Sequence, residues 1–414
     1  MRRTTVRQKR LPDLVRHVRF PIRGVSAPEW SSSFFERRLR RGIMACGVPL
    51  LALIMAACQS SSIDEAFDEE RGIVAKVSPG METVGEGAVT IGMVTGLAGP
   101  RNDLELRYLS GARFAASQLG TDLVRLSIYN AQPTKSGIDE ALSALRDAGA
   151  KLIIGPSDEA QLGAIAQHGN GDLPPVIALV SNDATRGKGV YAFVSNEVDS
   201  AIEVAAYAIG AGRKDILLVH PAGAPEDALA RLGNAIVSKG GRVSGEIRIE
   251  ANRDDPFADA QKEITGARTV LLAPGFADPG AIAASLKASR MLSADAWLLA
   301  TPEIGSGAGA SGSYFCRFDR LEIGGLAREY QAEYGVAMSD AVAYGFDAAA
   351  LSIGLVRTNG ASALSAEGLK SPSGFQGLMG AFRFSASGSV ERNCSIYRAA
   401  QTGFELIDPA PKTF

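Results

Sequence analysis

From about residue 88 onward, apolar and polar positions alternate in blocks. Short, nearly continuous apolar runs recur at VTIGMV (89–94), LVRLSI (123–128), KLIIG (151–155) and PVIALV (175–180), and again at DILLVH (215–220), RVSGEIRI (242–249), RTVLLA (268–273) and AWLLA (296–300). Such runs suit strands buried on both faces, as in a parallel sheet covered by helices. Between them the apolar spacing becomes helical, as in LELRYLSGARFAASQLG (104–120) and GIDEALSALRDAG (137–149), the latter closing on a glycine stop. Repeated strand–helix units predict an α/β fold of doubly wound parallel sheets. Two sets of about four strands exceed what one compact core holds, so two lobes are expected. The first crossover between them is placed at YAFVSNE (191–197), and a second near Thr301-Pro302-Glu303, before the loop GSGAGASGS.

The N-terminal part has a different pattern. In IMACGVPLLALIMAACQSSS (43–62), fifteen residues from Ile43 to Ala57 carry no charge, and Arg37, Arg38, Arg40 and Arg41 stand just before them. The run is shorter than the roughly 20 residues a membrane-spanning helix needs. It fits a secretion signal, with the arginines as its positive region. Met55-Ala56-Ala57-Cys58 resembles a bacterial lipobox, which makes Cys58 the expected lipidation site; read otherwise, the run is an ordinary signal peptide or a buried strand. Residues 1–58 are therefore assigned to a leader, signal peptide and lipobox, and 59–87, polar and acidic, to a flexible tether. Residues 1–42 are basic, either a leader or the product of a start codon set too far upstream. The expected location is the periplasm, with a lipid anchor in a bacterial membrane. Gln59 stands where an aspartate retains many lipoproteins at the inner membrane, which favours the outer one.

Charge sharpens this picture. The whole chain is −2, but residues 1–42 hold twelve Lys/Arg against three Asp/Glu, which leaves the rest at −11. An acidic exported part argues against a nucleic-acid partner. Beyond Cys46 and Cys58, the remaining cysteines are Cys316 and Cys394, which either pair in an oxidising compartment or stay as two buried thiols. His17, His168 and His220 are isolated, so no metal-ligand spacing exists and no metal or cofactor is expected. A phosphate loop with its lysine, a G-x-S-x-G elbow and a Ser-x-x-Lys are all absent, so catalysis is not expected.

In an open parallel sheet, ligands gather beyond the C-terminal strand ends. The loops there are GLAGPRND (96–103), GPSDEA (155–160), SNDATRG (181–187), PAGAPED (221–227) and PGFADPG (274–280). Ser157 and Asp158 stand before a helix, where a hydroxyl and free N–H groups suit an anion and where Asp158 equally serves as a cap. Ser181 and Asn182 offer donors and acceptors at a strand end. Glu226, Phe276 and Asp278 occupy the equivalent edge of the second lobe, as contacts or as solvated loop residues.

These segments carry a resemblance. VTIGMVTGLAGP with the GARFAASQ helix resembles the opening of the type I periplasmic solute-binding proteins of the leucine/isoleucine/valine-binding kind. GAKLIIGPSDEAQLGAIAQ, PVIALVSNDAT, AVAYGFDAAALSIGLV and GFQGLMGAFRFSASGSVERNCSIYR resemble its later segments in order and spacing. The resemblance implies two αβα lobes joined by three crossovers, 88–195 plus 302–385 forming the first and 196–301 plus 386–414 the second. It implies an amino-acid-like ligand held by Ser157, Ser181 and Asn182, and an ABC permease as partner. The first loop lacks the family's usual glycine-rich insert, and APED and GFADPG stand where an aromatic and an acidic anchor are usual. The ending FELIDPAPKTF is similar to a lipid-anchored sub-branch labelled penicillin-binding protein activators, which implies the alternative of a regulator of peptidoglycan synthesis.

Overall fold

The structure is a computed structural model that describes residues 81–414 except 121, 166–172, 185 and 251–254. The expected leader, signal and lipobox with Cys58, and the tether up to residue 80, lie outside the described residues.

The first sheet is built from β1 (Met81–Val84), β2 (Val89–Thr95), β3 (Val124–Asn130), β4 (Ile153–Ile154), β5 (Val176–Ser181) and β6 (Val190–Val194), in the order β1-β3-β2-β4-β5-β6. All pairs are parallel except β1 on β3. The second sheet holds β7 (Asp215–Pro221), β8 (Arg242–Ile249), β9 (Thr269–Leu272), β10 (Trp297–Ala300) and β11 (Tyr314–Arg317) in parallel. A small antiparallel sheet follows, of β12 (Phe375–Gly377), β13 (Gly380–Phe384) and β14 (Val390–Arg392). The chain then returns to the second sheet as the antiparallel strands β15 (Ser395–Ala399) and β16 (Phe404–Asp408), giving the order β16-β15-β11-β10-β9-β7-β8. The helices that position the site are α1 (Asn102–Leu119), α2 (Lys135–Asp147), α3 (Glu159–Ile165), α4 (Glu197–Gly210), α5 (Glu226–Ser238), α6 (Pro279–Ala288), α7 (Leu326–Tyr334) and α8 (Asp340–Asn359).

Each sheet carries apolar packing on both faces, as the uninterrupted strand runs predict. In β2, Ile91 and Met93 enter one core and Val94 the other. The second sheet likewise separates a core around Phe257, Leu272 and Phe315 from one around Ile216, Leu271 and Leu299. The sequence thus gives two doubly wound αβα lobes.

The connections refine the expected boundaries. Met81–Val84, expected within the tether, is an edge strand, with Glu82 ion-paired to Arg113 of α1. The first crossover lies between β6, which ends at Val194, and α4. The second does not fall at Thr301. After the Gly/Ser loop the chain adds β11 to the second sheet, and it returns to the first lobe only near Arg320, whose guanidinium donates to the Met338 carbonyl. Residues 386–392 also lie with the first lobe, because Val390 packs in its core. The third crossover is then at Asn393. Cys316, in β11, and Cys394, just before β15, are joined by a disulfide beside the second and third crossovers.

The first lobe draws α7, α8 and the small sheet from late in the chain. Its centre is the crossing of α1 and α8, which meet backbone to backbone. A Cβ on Gly111 would stand 2.0 Å from the Val342 carbonyl oxygen, and one on Gly345 would stand 2.0 Å from that of Tyr108. Only glycine permits that approach.

Candidate functional site

Both sheets share one parallel order, in which the strand directions of connection reverse between β2 and β4 and between β7 and β9. Ligands in doubly wound sheets bind at such reversals, beyond the strand C-termini. Ser157 and Asp158 follow β4, Glu226 follows β7 and Phe276 and Asp278 follow β9, whereas Ser181 and Asn182 stand at the end of β5, one strand away. What their side chains do there differs from one to the next.

At the first reversal, β4 ends at Gly155, which has φ 88° and comes so close to β2 that a Cβ would stand 2.4 Å from the Val94 carbonyl oxygen. That approach places Ser157 under the end of β2, where it is 1% exposed. Its hydroxyl donates to the Glu105 carboxylate, and its carbonyl accepts from Arg101 Nη1 at 3.1 Å. Glu105 lies on α1, 3% exposed. Burial raises its carboxyl above the ordinary range, opposed by the hydrogen bonds from Ser157 and from the Gly96 backbone N–H. Gln161 of α3 is also buried here, and its Oε1 has no hydrogen-bond partner. Asp158 acts locally, its Oδ1 accepting the Ala160 N–H at 3.0 Å.

At the end of β5, Ser181 is half-buried and Asn182 is fully engaged. The Asn182 Nδ2 donates to Asp199 Oδ1 at 3.0 Å and to the Val390 carbonyl at 2.8 Å, and its Oδ1 accepts the Val390 N–H at 2.9 Å. The amide ties β5 to β14 and to the first crossover, leaving neither end for a ligand. Beside it, Asp183 and Asp199 both accept from Arg231 of α5, and Asp183 also accepts from Asn196 Nδ2. Burial lowers the Arg231 guanidinium to about 10, so it stays charged at neutral pH. Arg231 therefore links helix α5 of the second lobe to the loop that follows β5 in the first. Asn196 and Asp199 form a reciprocal capping box on α4, which fixes the first crossover against that link.

Arg392 anchors the third crossover from within. It donates to the carbonyls of Met379 and Phe193 at 3.1 and 3.2 Å and lies over the rings of Phe382, Tyr344 and Phe193. Buried Asp347 accepts the Leu378 and Met379 N–H groups. Its carboxyl is pushed up to about 6 by burial, against the opposing pull of Arg392 and those hydrogen bonds.

The second-lobe candidates are less engaged with one another. Glu226 is exposed in the first turn of α5, and Phe276 packs against the lobe's own core. Asp278 caps α6, its Oδ1 accepting the Ala281 N–H at 2.8 Å. Near the first crossover, Glu197 has its carboxyl raised by burial, opposed by a hydrogen bond from Thr301 and reinforced by Glu303.

Glu105, Asn196, Asp199 and Arg231 escape a reading by strand-end loops alone, and Asp183 lies in such a loop without being singled out. Three of them had a signal. SNEVD (195–199) carries a capping-box spacing. Glu105 shares the i, i+3, i+4, i+7 stripe with Tyr108, Leu109 and Ala112, all buried, so it is an acid on an apolar face.

Among the described residues no group of three or more His, Cys, Asp or Glu could hold a metal ion, and no helix is long and apolar enough to cross a membrane.

A family profile described as periplasmic binding protein matches residues 88–403. No curated protein is significantly similar to the chain. Among solved structures, a Rhodospirillum rubrum protein described as a branched-chain amino acid ABC transporter is similar at 16% identity over 77% of this chain and 100% of that one, with a TM-score of 0.63. The LpoA (YraM) C-domain from Haemophilus influenzae, a regulator of PBP1A, is similar at 16% identity over 77% of this chain and 99% of its own, with a TM-score of 0.57. A branched-chain amino acid ABC transporter periplasmic ligand-binding protein from Burkholderia xenovorans is similar at 17% identity over 78% and 96%, with a TM-score of 0.55. At these identities the likeness is one of fold.

Proposed function

The chain belongs to the periplasmic binding protein family, non-enzymatic ligand binders, and from that premise we propose that it is the solute-binding component of an ABC-type uptake system, its lobes closing on one small polar, amino-acid-like ligand. The observation that carries this reading is the Arg231 bridge. The loop after β5 of the first lobe and helix α5 of the second meet through the Arg231–Asp183 ion pair, while the apolar cores lie within each lobe and share only the partly buried Phe318 at the second crossover. An ionic contact between separately packed bodies can open and reform, which hinge closure on a ligand requires. A lipid on Cys58 would hold the receptor at a bacterial membrane.

The test is a thermal-shift screen of the purified protein against amino acids, short peptides, sugars and muropeptides. A ligand at about 100 times its dissociation constant stabilises the fold by roughly 2.7 kcal/mol. A saturable rise that Ser181→Ala weakens supports the receptor, and a flat response across the panel overturns it.

One observation favours a second reading. Two of the expected ligand-holding groups, the Ser157 hydroxyl and the Asn182 amide, are bonded within the chain. The LpoA C-domain uses the same fold and is described as a regulator of PBP1A. On this reading the chain is a lipid-anchored activator that docks on a penicillin-binding protein and regulates peptidoglycan synthesis. Co-purification of such a synthase from membrane extracts, together with a flat solute screen, is the expected result.

A further inference from the structure

The reversal point of the first lobe already contains an anion, and it belongs to the chain. Ser157 Oγ–H and the Gly96 N–H converge beyond the ends of β4 and β2, where a bound solute's negative group would be received. The Ser157 hydroxyl donates to the carboxylate of Glu105, and the nearby Gly96 N–H adds to the stabilisation of its charge. The acid and the serine are 3% and 1% exposed, so a solute carboxylate can reach these donors only if Glu105 leaves. A buried acid without partners is costly, whereas one that receives a hydroxyl and an amide is held in place. Arg101 closes the arrangement from the side through its hydrogen bond to the Ser157 carbonyl.

We propose that Glu105 is a specificity-determining residue, an internal occupant of the first-lobe anion subsite that shuts it to a solute carboxylate and so narrows the amino-acid-like ligand of the receptor reading to amines or neutral polar molecules that lack that group. The proposal rests on the receptor reading for its biological meaning. The occupancy itself does not.

Two measurements test it. The first is a titration of Glu105→Ala with formate or acetate, followed by melting temperature. The emptied subsite is expected to take the free carboxylate, with a saturable rise of about 4 °C that chloride does not give. The wild type, Glu105→Gln and the double variant Glu105→Ala/Ser157→Ala are expected to show no such rise. A folded Glu105→Ala that responds to acetate no more than to chloride overturns the proposal, as does an equal response in the wild type. Should Glu105→Ala fail to fold, Glu105→Ser carries the same titration.

The second measurement compares matched solutes on the wild type, leucine against isoamylamine and benzoate against benzylamine. Leucine or benzoate binding that Ser157→Ala abolishes overturns the proposal, and amine-only binding supports it. A flat result on both pairs combined with acetate rescue of Glu105→Ala supports the internal occupant while sinking the receptor reading, so the two failures are distinguishable.

Discussion

The two lobes share one parallel strand order and yet are built to different tightness. In the first, α1 and α8 touch through Gly111 and Gly345, and the small sheet adds Phe382, Phe384 and Val390 to the same core. In the second, α5 buries only Leu232 and Ile236 and leaves Val237 63% exposed. Its edge strand β8 is exposed at alternate positions along most of its length. The first lobe also keeps its charges inside, with Glu105, Asp347 and Arg392 all buried and hydrogen-bonded, whereas most second-lobe ion pairs, such as Arg268–Asp295 and Arg242–Asp215, lie at the surface. Strand order alone therefore does not set how a lobe tolerates polarity. For Asp347 and Arg392 the extra layer brought by late chain segments does, because the Leu378 and Met379 backbone supplies their partners.

Paired glycine substitutions break this comparison most directly. Gly111→Ala drives a methyl into the Val342 carbonyl and is expected to cost more than about 3 kcal/mol, read as a large fall in denaturation midpoint or failure to fold. Gly233→Ala in α5, where a Cβ meets nothing within 4 Å, is expected to stabilise by about 0.5–1 kcal/mol. Equal effects at the two sites would erase the difference between the lobes.

The disulfide comes next. Replacing Cys316 and Cys394 by serine opens a link across 78 residues and is expected to cost about 2–4 kcal/mol, with the variant's melting no longer sensitive to reductant. A smaller loss would mean that the second and third crossovers are held by packing alone.

The buried acid of the first lobe gives a pH dependence. The Asp347 carboxyl titrates near 6 in the folded protein and near 3.8 when ordinary. The folded state therefore holds its proton more tightly. The stability this adds is fully present below the ordinary value and is lost as pH rises through about 6. Wild-type stability measured relative to Asp347→Asn is expected to fall by on the order of 2 kcal/mol between pH 4 and pH 7. A pH-independent difference would contradict the assignment. The smallest effect is expected at the bridge between the lobes. Asn196→Ala removes the α4 cap and the bond to Asp183, for about 1 kcal/mol by chemical denaturation.

Much of this architecture is legible in the sequence, because a strand buried on both faces writes an unbroken apolar run. β2, β5, β7 and β9 are all of that kind. β11 is not. Its four residues, YFCR, follow a Gly/Ser loop, and half of its pairing comes from β15, some 80 residues on, so no local pattern announces it and the second crossover is read too early. At the candidate site, topology points to the ends of β4 and β5, but the fate of Ser157 depends on a helix face 52 residues away. The Arg231–Asp183 link joins two lobes, and charge alone in ALARLG or SNDATRG does not select that pairing from the other surface charges.

The crossing of Gly111 with α8 has a consequence for timing. A chain emerging N-terminus first presents β2 and α1 long before residues 340–359 exist to cover them. The second lobe's five parallel strands are complete by Arg317 and can collapse earlier. The lobe that begins the chain is therefore expected to finish last, its helix surface waiting uncovered through the synthesis of more than half the molecule. Whatever guards that surface in the interval, chaperone or translocation channel, acts on α1.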